Sequence, residues 1–305
     1  MAVAVAPVRE ASVVSDVPDL RARPSWRSAK SAIMTGLMML AVVVVAIPLV
    51  AILWSVIDRG AGVAFRAFPS FFTAEVPTVS RRVGPGMGPA IVGTLLSTGG
   101  ATVMAVPLGV LGAIYLHEYG AGNRFAKLVR FMTTVMTGVP SIVMGLFIYL
   151  VWTLHFGYSA FGGSLALACL MLPVVIASSE QMLRLVPPTL REAAYALGTT
   201  KSRTIATVVV PAALPGIVSG SLLAIARAAG ETAPLMFAVG AANAFNPHLL
   251  SGANTSLSMQ IFGNATLAFT GAQERAWGAA LTLVGIAFLF TLVARIATAR
   301  FAFKR

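Results

Sequence analysis

The sequence contains few charged residues, one cysteine and three histidines. Asp, Glu, Lys and Arg make up 10% of its 305 residues, whereas a soluble globular domain carries about 25%, so an ordinary soluble domain is excluded. The single cysteine, Cys169, excludes a disulfide bond within the chain, and its place in an apolar run indicates a buried thiol. The histidines at positions 117, 155 and 248 are widely separated, which indicates interfacial side chains rather than a metal site.

Long apolar segments are what the chain has in quantity. Hydrophobic residues make up 57% of it, and several runs reach the roughly 20 residues that a bilayer crossing requires. The first run is too long for a signal peptide and no small-residue cleavage site follows it. We predict an all-α, polytopic membrane protein with one transmembrane domain over residues 33–305, preceded by a flexible basic tail over residues 1–32. The six spans are predicted near residues 33–57, 89–116, 128–154, 164–183, 212–242 and 277–297.

The distribution of Lys and Arg predicts the orientation of these spans. Five lie in the tail, three in the 117–130 loop, four in the 184–203 loop and four near the C-terminus, against five on the opposite side of the membrane. Because cytoplasmic loops carry the basic excess, both termini are predicted to face the cytoplasm. The net charge of +12 is explained by this topology, and no nucleic-acid binding is predicted.

The predicted cytoplasmic loop over residues 184–211 has signals for a short helix. Pro187 and Pro188 end the fourth span, and Pro188 suits the first turn of a new helix because its missing N–H costs nothing there. Gly198 suits the C-terminal cap of that helix. From composition alone, an ordinary surface helix between two spans is the favoured explanation of the segment.

A longer spacing pattern in this loop resembles that of permease subunits of bacterial ATP-binding-cassette importers. Their pattern is Glu-Ala-Ala, three residues, Gly, nine residues, Ile, one residue, Leu-Pro. It is matched here, with two conservative changes to valine, by Glu192, Ala193, Ala194, Gly198, Val208, Val210 and Pro211. The resemblance implies a type I importer permease fold, in which this EAA loop docks into a groove on a separate ATPase subunit.

The chain carries no ATP site of its own. A P-loop needs Gly-x-x-x-x-Gly-Lys-Ser/Thr to wrap phosphates in backbone N–H groups, and GTTKS at residues 198–202 lacks the first glycine and its spacing. No catalytic constellation or metal motif is evident, so we predict a transport subunit and not an enzyme. The resemblance implies that ATP and Mg²⁺ bind to the partner ATPase and that this chain binds no cofactor.

A charged pair lies within the fifth predicted span. Arg227 and Glu231 are four residues apart and would share one face of a helix. Ionised side chains at membrane depth are costly and normally face a partner or a wet cavity, so we predict a substrate path or gate formed by Arg227, Gly230, Glu231 and Thr232. Gly230 would allow close backbone approach, and Pro234 would free backbone carbonyls. A salt bridge that merely locks two helices is the alternative.

The sequence around this pair is similar to the PstA family, permease subunits of high-affinity phosphate importers. The similarity is carried by RAAGETAPL at 227–235, by PLG at 107–109 with IYLHEY at 114–119, and by MLRLVP at 182–187. It implies import of inorganic phosphate across the bacterial plasma membrane. It also implies a PstC-like permease partner, two PstB-like ATPase subunits and a PstS-like phosphate-binding protein.

One position departs from that family. PstA sequences often carry a second arginine late in the fourth span, where this chain has Ala177. Either the partner permease supplies more positive charge, or Ser178 and Ser179 contribute hydrogen bonds. Glu180 is predicted to be a solvated carboxylate at the cytoplasmic end. A permease for sulfate or molybdate and a gradient-driven secondary transporter remain the alternative functions.

Overall fold

The structure, a computed structural model, describes residues 26–78, 81 and 86–302, and within these residues it contains helices and no strands. The α-helices are α1 (Trp26–Arg66), α2 (Ser70–Thr73), α3 (Gly88–Ile114), α4 (Arg124–Gly138), α5 (Ser141–Ile148), α6 (Leu154–Phe156), α7 (Ala160–Arg184), α8 (Pro188–Ala196), α9 (Lys201–Thr204), α10 (Val210–Ala229), α11 (Ala233–Ala238), α12 (Leu257–Ala265) and α13 (Thr270–Ala302). Three π-helical turns, Tyr115–Tyr119, Tyr149–Thr153 and Ile205–Val209, extend or join them.

Five of the helical segments are long and apolar enough to cross a membrane. They are Ala29–Arg66, Gly88–Tyr119, Ala160–Arg184, Lys201–Ala229 and Thr270–Val293. A sixth candidate is the pair Arg124–Gly138 and Ser141–Phe156, whose two halves meet at an angle of 106°. The predicted all-α, polytopic membrane fold is confirmed.

The chain divides into two compact units, residues 1–53 and 54–305. The described part of the first unit is the N-terminal portion of α1, whose apolar side chains are exposed along its length. Residues 26–32, predicted as part of a flexible tail, are helical, so that boundary was wrong. Residues 1–25, with three of the five basic residues of the predicted tail, lie outside the described residues.

Helix α7 occupies the centre of the second unit, between α3 and α10. The helices approach closely at glycines: a Cβ on Gly109 of α3 would lie 2.6 Å from Val175 Cγ1, and one on Gly220 of α10 would lie 2.5 Å from Ser178 Oγ. Leu167 and Met171 of α7 are buried in a core cluster with Leu235. The most buried span is therefore the one that contacts the helices on either side of it.

The third predicted span, 128–154, is interrupted in the structure. Pro140 lacks an N–H and disfavours helical backbone in the residue before it, and Val139 is extended, with φ −73° and ψ 128°. The N-terminal half, α4, therefore ends at Gly138, and α5 starts at Ser141. The predicted span is thus present as two helices that meet at a sharp bend, and the bend was not predicted.

The fifth predicted span, 212–242, also ends earlier than expected. Helix α10 stops at Ala229, and the chain resumes as α11, with Pro234 in its first turn. Arg227 thus lies in the last turn of α10, while Glu231 follows the end of that helix. The sequence had indicated that the two residues stand on one continuous helix, and the structure shows that they do not.

The segment between the fifth and sixth predicted spans, residues 243–276, reads in sequence as an external polar loop, but it is in part buried and helical. Asn254, Thr255 and Ser256 are almost fully buried, and the Ser256 hydroxyl caps α12 by accepting from the Met259 N–H at 3.2 Å. The Leu257 N–H donates to Thr94 Oγ1 of α3 at 2.9 Å. This segment is part of the packed unit and not a solvated connector.

Candidate functional site

A cavity of about 250 Å³ lies where the bent pair α4–α5 meets α7 and α10. Its lining includes Thr137, Pro140 and Ser141 at the bend, Val174 of α7, Arg227 of α10, and Glu231. Two of the four residues predicted for the substrate path, Arg227 and Glu231, therefore line one cavity. Gly230 and Thr232 are not among its lining residues.

Arg227 and Glu231 form a loose ion pair at this cavity. Arg227 Nε lies 3.6 Å from Glu231 Oε1, and the side chains are 72% and 20% exposed in this chain. An exposed pair of this kind contributes about 0.2–1 kcal/mol, so the guanidinium is not committed to its carboxylate. Within this chain the pair joins residues four apart at the end of α10 and does not bridge two separate helices.

The backbone of Glu231 is fixed more firmly than its side chain. Its N–H donates to the Ala228 carbonyl at 3.1 Å, and its carbonyl accepts from the Ser258 hydroxyl at 2.8 Å. These contacts join the end of α10 to α12. The backbone of Glu231 therefore has a defined position, whereas its carboxylate and the long arginine side chain beside it are held only by their loose contact.

The close backbone approach predicted at Gly230 is found at Gly145 instead. A Cβ on Gly230 would meet only the Arg227 carbonyl oxygen, at an ordinary 3.6 Å, whereas a Cβ on Gly145 of α5 would lie 2.5 Å from Pro234 Cα. The role predicted for Gly230 was wrong because α10 has already ended there. The contact between Gly145 and Pro234 holds α5 against α11.

The N-terminal end of α5 contributes to the cavity lining. The first N–H groups of a helix have no partner within the helix, and the helix dipole gives that end a partial positive charge. Ser141, the first residue of α5, lines the cavity that also contains Arg227. Half-helix N-termini of this kind face anionic groups in other transporters with broken spans.

The break that forms this site was missed, although the sequence contains a signal for it. Residues 137–141 read TGVPS within a predicted span, and a Gly/Pro interruption in a hydrophobic segment indicates a discontinuous helix. Val174 and Met171, which also line the cavity, gave no such signal because apolar residues of a span look alike in sequence.

The EAA loop folds into a compact helical hairpin formed by α8 and α9, which we call the coupling hairpin (Pro188–Thr204). Gly198 has φ +78°, a left-handed conformation that glycine adopts at helix C-termini without steric cost. The backbone N–H of Thr199 and its hydroxyl both donate to the Ala194 carbonyl, at 3.2 and 2.7 Å. The turn between the two helices is therefore closed by hydrogen bonds within the hairpin.

The coupling hairpin presents most of its predicted docking residues on the surface. Glu192, Ala193 and Gly198 are exposed, and Leu197 is 85% exposed. Ala194 is buried and supports the hairpin from within. Pro211 is separate from this surface, since it lies in the first turn of α10.

Glu180 differs from its prediction as a solvated carboxylate. It is 8% exposed, and its Oε1 lies 2.9 Å from Arg130 Nη2 and 2.9 Å from Arg184 Nη2. Two guanidinium groups balance the cost of burying the charge. Arg130, a functional candidate that the sequence did not suggest, is 50 residues away along the chain.

The hydroxyl groups suggested as substitutes for an arginine at position 177 do not line the cavity. Ser178 Oγ donates to the Val175 carbonyl at 3.2 Å and faces Gly220 of α10. Ser179 is fully buried, and neither serine is among the lining residues. Neither serine hydroxyl therefore faces the cavity that contains Arg227.

Among the residues that the structure describes, no group of three or more His, Cys, Asp or Glu side chains could hold a metal ion. His117 lies beside charged side chains, with Nε2 3.7 Å from Glu118 Oε1 and 3.3 Å from Arg191 Nη2. It is thus part of a charged cluster near the coupling hairpin.

Comparison with protein families places most of the chain in one of them. Residues 105–304 match the family described as binding-protein-dependent transport system inner membrane component. The chain is 44% identical over 271 residues to the phosphate transport system permease protein PstA 1 of Mycobacterium tuberculosis strain H37Rv, covering 88% of this chain and 87% of that protein. It is 38% identical over 282 residues to PstA of Yersinia pestis, covering 92% and 94%.

Solved structures of importers share the fold. The chain superposes on an inward-facing MetNI methionine ABC transporter with a TM-score of 0.56 at 18% identity, covering 70% of this chain and 93% of that one. A bacterial ABC transporter that imports the acidic polysaccharide alginate gives a TM-score of 0.56 at 14% identity, covering 90% and 98%. At these identities the likeness concerns the fold alone.

Proposed function

Since this chain belongs to the family of binding-protein-dependent transport system inner membrane components, we propose that it is the permease subunit of an ATP-driven importer for inorganic phosphate. It is a multi-pass protein of the bacterial plasma membrane and a transport component without enzymatic activity. The observation that carries the proposal is the cavity in which Arg227 and Glu231 face the start of α5. Relatives that match about nine-tenths of the chain are named as phosphate permeases, which supports phosphate as the cargo.

The cavity offers complementary charge for a phosphate ion. The planar guanidinium of Arg227 has donors that contact two phosphate oxygens at once, and its loose pairing with Glu231 allows the exchange. The N-terminal end of α5 adds a partial positive charge. In this proposal phosphate displaces the carboxylate from Arg227 on entry, and Glu231 recovers the guanidinium when phosphate leaves.

Glu231 also provides a basis for selecting phosphate over sulfate. Near neutral pH inorganic phosphate retains a proton and sulfate does not, so only phosphate donates a hydrogen bond to a carboxylate. A buried group left without its partner costs about 1–3 kcal/mol. The carboxylate that repels every anion would therefore penalise sulfate more than phosphate.

Transport requires partner subunits, as it does for the family. An ATPase and a substrate-binding protein are expected from family membership; we assign these roles to two PstB-like ATPase subunits and a PstS-like binding protein. ATP and Mg²⁺ would bind to the ATPase subunits and no cofactor to this chain. The exposed face of the coupling hairpin, with Glu192, Ala193 and Leu197, is the proposed docking surface.

A PstC-like permease would complete the substrate path. Arg227 is the one basic side chain among the described residues that line the cavity, and a phosphate ion carries more than one negative charge for part of the time at neutral pH. Since Ala177 replaces a second arginine, the partner permease would contribute the remaining positive charge.

The test is phosphate uptake by vesicles that contain all four kinds of subunit. We expect uptake of radiolabelled phosphate that depends on ATP inside the vesicles and on the binding protein outside, and that persists in excess sulfate or molybdate. Competition by sulfate or molybdate equal to that of unlabelled phosphate would assign another oxyanion. Uptake without the ATPase subunits would instead indicate a gradient-driven transporter.

A further inference from the structure

One arginine of the coupling hairpin ties it to the cytoplasmic end of the preceding spans. Arg191 is mostly buried, with 17% of its side chain exposed. Its Nη2 donates to Glu118 Oε1 at 2.9 Å and to the Leu183 carbonyl at 3.2 Å. Glu118 belongs to the π-helical turn Tyr115–Tyr119 at the end of α3. The hairpin is thus attached to that turn by a short, buried ion pair.

The second arm of the hairpin contacts the same π turn. Lys201, the first residue of α9, donates from Nζ to the Glu118 carbonyl. Its ammonium also lies 4.6 Å from the centre of the Tyr119 ring. Because both arms hold this turn, a displacement of the hairpin would displace the turn. Turns of π geometry inside helices are frequent at functional sites.

Arg130 of α4 bridges this π turn and α7. Its Nη2 donates to the Leu116 carbonyl at 2.7 Å, and its Nε donates to Glu180 Oε1 at 3.1 Å. The side chain of Glu180 is only 10% exposed. A single guanidinium therefore connects three elements: α4, α7 and the π turn that the coupling hairpin holds.

The other attachments of α4 are also to the π turn and to α7. Ala126 and Val129 pack with Leu116 and Ile176, and the Phe125 ring meets the Tyr115 ring edge-on at 6.1 Å. At the C-terminal end of α4, Thr137 lines the cavity. Thr137 follows Arg130 by seven residues, which is about 10 Å along a helix. In the described part of the chain, Arg130 is the one side chain of α4 that bonds to both the π turn and α7, so it is placed to set the position of this wall.

We propose that Arg130 is a positioning residue that transmits movement of the coupling hairpin to the cavity. The connection runs from Arg191 through Glu118 and the π turn to Arg130, and along α4 to the wall formed by Thr137. ATP-driven displacement of the hairpin shifts α4 through Arg130 and changes access to Arg227. The inference rests on the proposed function, because it assumes that a partner ATPase moves the hairpin.

Arg184 supplies a matched control on the same carboxylate. Its Nη2 lies 2.9 Å from Glu180 Oε1, as Arg130 Nη2 does. Both Arg184 and Glu180 belong to α7, so this pair joins nothing to α4. If the buried charges only stabilise the fold, the two arginines should have similar effects when they are replaced. If Arg130 transmits movement, they should differ in coupling.

The first measurement is the number of ATP molecules hydrolysed per phosphate imported, in vesicles with the complete importer. For Arg130→Gln we expect ATP hydrolysis to continue and the ratio to rise about tenfold, within the usual range of coupling between sites. For Arg184→Gln we expect a ratio within about twofold of the wild type. Equal ratios for the two variants would overturn the proposal.

The second measurement follows the cavity wall itself and does not depend on the cargo. In a Cys169→Ser background, spin labels are placed at Val135 of α4 and Leu223 of α10, and their separation is measured with and without ATP. We expect a nucleotide-dependent change in the wild type and in Arg184→Gln, and no change in Arg130→Gln. A change of the same size in all three would refute the role of Arg130. If the wild type moves but imports no phosphate, only the proposed function fails.

Arg130→Lys covers the case in which the glutamine variant does not assemble. Lysine keeps the charge opposite Glu180, but its compact ammonium does not reproduce the fork that also reaches the Leu116 carbonyl. We expect assembled complexes with a ratio of ATP to phosphate between those of the wild type and a fully uncoupled importer. A wild-type ratio for Arg130→Lys would show that bridging is not required.

Discussion

Arg227 lies 3.6 Å from Glu231 with 72% of its side chain exposed, whereas Arg191 lies 2.9 Å from Glu118 with 17% exposed. Both are arginine–glutamate pairs of one membrane protein. The first pair lines the cavity. The second belongs to the charged cluster below the coupling hairpin, in which the arginine also donates to backbone carbonyls.

The difference in distance and exposure indicates that the cavity pair can exchange partners, whereas the buried pair keeps its partner. A loose, exposed pair contributes little stability, so in the proposed function a substrate anion would displace the carboxylate at low cost. Removing one partner of a buried pair leaves an uncompensated charge and is strongly destabilising. The cavity pair is therefore suited to binding and release, and the buried cluster is suited to holding helices together while they move.

Replacing the cavity arginine would affect transport most. For Arg227→Gln we expect phosphate uptake to fall by about a hundredfold, because loss of a charge-assisted contact costs about 2–3 kcal/mol. We expect assembly and thermal stability to stay the same, since the pair with Glu231 is loose. Uptake and melting temperature of the purified complex are the measurements. The control is Arg124→Gln, on the exposed start of α4. Uptake near the wild-type rate in Arg227→Gln would mean that Arg227 has only a structural role.

A substitution in the turn of the coupling hairpin should disrupt the hairpin most directly. Proline at position 198 cannot adopt φ +78°, and it also loses the N–H that donates to the Tyr195 carbonyl at 2.9 Å. We expect Gly198→Pro to lower ATP-dependent uptake about tenfold by weakening ATPase docking. The measurements are uptake and co-purification of the ATPase. Gly99→Ala, where an added Cβ meets nothing within 4 Å, should leave both unchanged, and intact docking in Gly198→Pro would contradict the assigned role of the hairpin.

Replacing the carboxylate of the buried Arg191–Glu118 pair tests whether that pair stabilises the fold. For Glu118→Gln we expect thermal stability to fall by about 2 kcal/mol, because Arg191 is left buried without its counter-charge. Glu192→Gln on the exposed face of α8 should have little effect on stability. Thermal unfolding of the detergent-solubilised chain distinguishes the two. Equal melting temperatures for the two variants would mean that the buried carboxylate contributes no more to stability than an exposed one.

The smallest expected difference is in stability, between alanine variants of two glycines beside the cavity. Gly230→Ala should leave stability within about 0.5 kcal/mol of the wild type, since its Cβ would contact only a carbonyl oxygen at 3.6 Å. Gly145→Ala should destabilise by about 1–3 kcal/mol through overpacking against Pro234. Thermal unfolding of both variants is the measurement. A larger effect at Gly230 than at Gly145 would support the close backbone approach first predicted at Gly230.

The features that the sequence predicted well are those encoded by long patterns. Apolar runs of about 20 residues indicate spans because every backbone polar group in lipid must bond within a helix or barrel. The hairpin was readable because Gly198 and the surrounding alanines have a fixed spacing, and glycine is what a left-handed helix end requires.

The features that were missed depend on short interruptions or distant contacts. A hydropathy window passes over the break at Pro140, because three residues hardly change its mean. The short break between α10 and α11 was missed for the same reason, and Gly230 was therefore placed inside a continuous helix. The partnership of Arg130 with Glu180 was not predictable, because the two residues are 50 positions apart and either could extend to the membrane surface alone.

The break at Pro140 has a consequence for water. Where α4 ends and α5 begins, backbone carbonyl and N–H groups lack helical partners, and hydrocarbon cannot satisfy them. We therefore expect the cavity at this break to be hydrated. In the proposed function, a phosphate ion that reaches Arg227 would keep part of its hydration shell, so the chain would need to replace only a fraction of the water that the ion carried in solution.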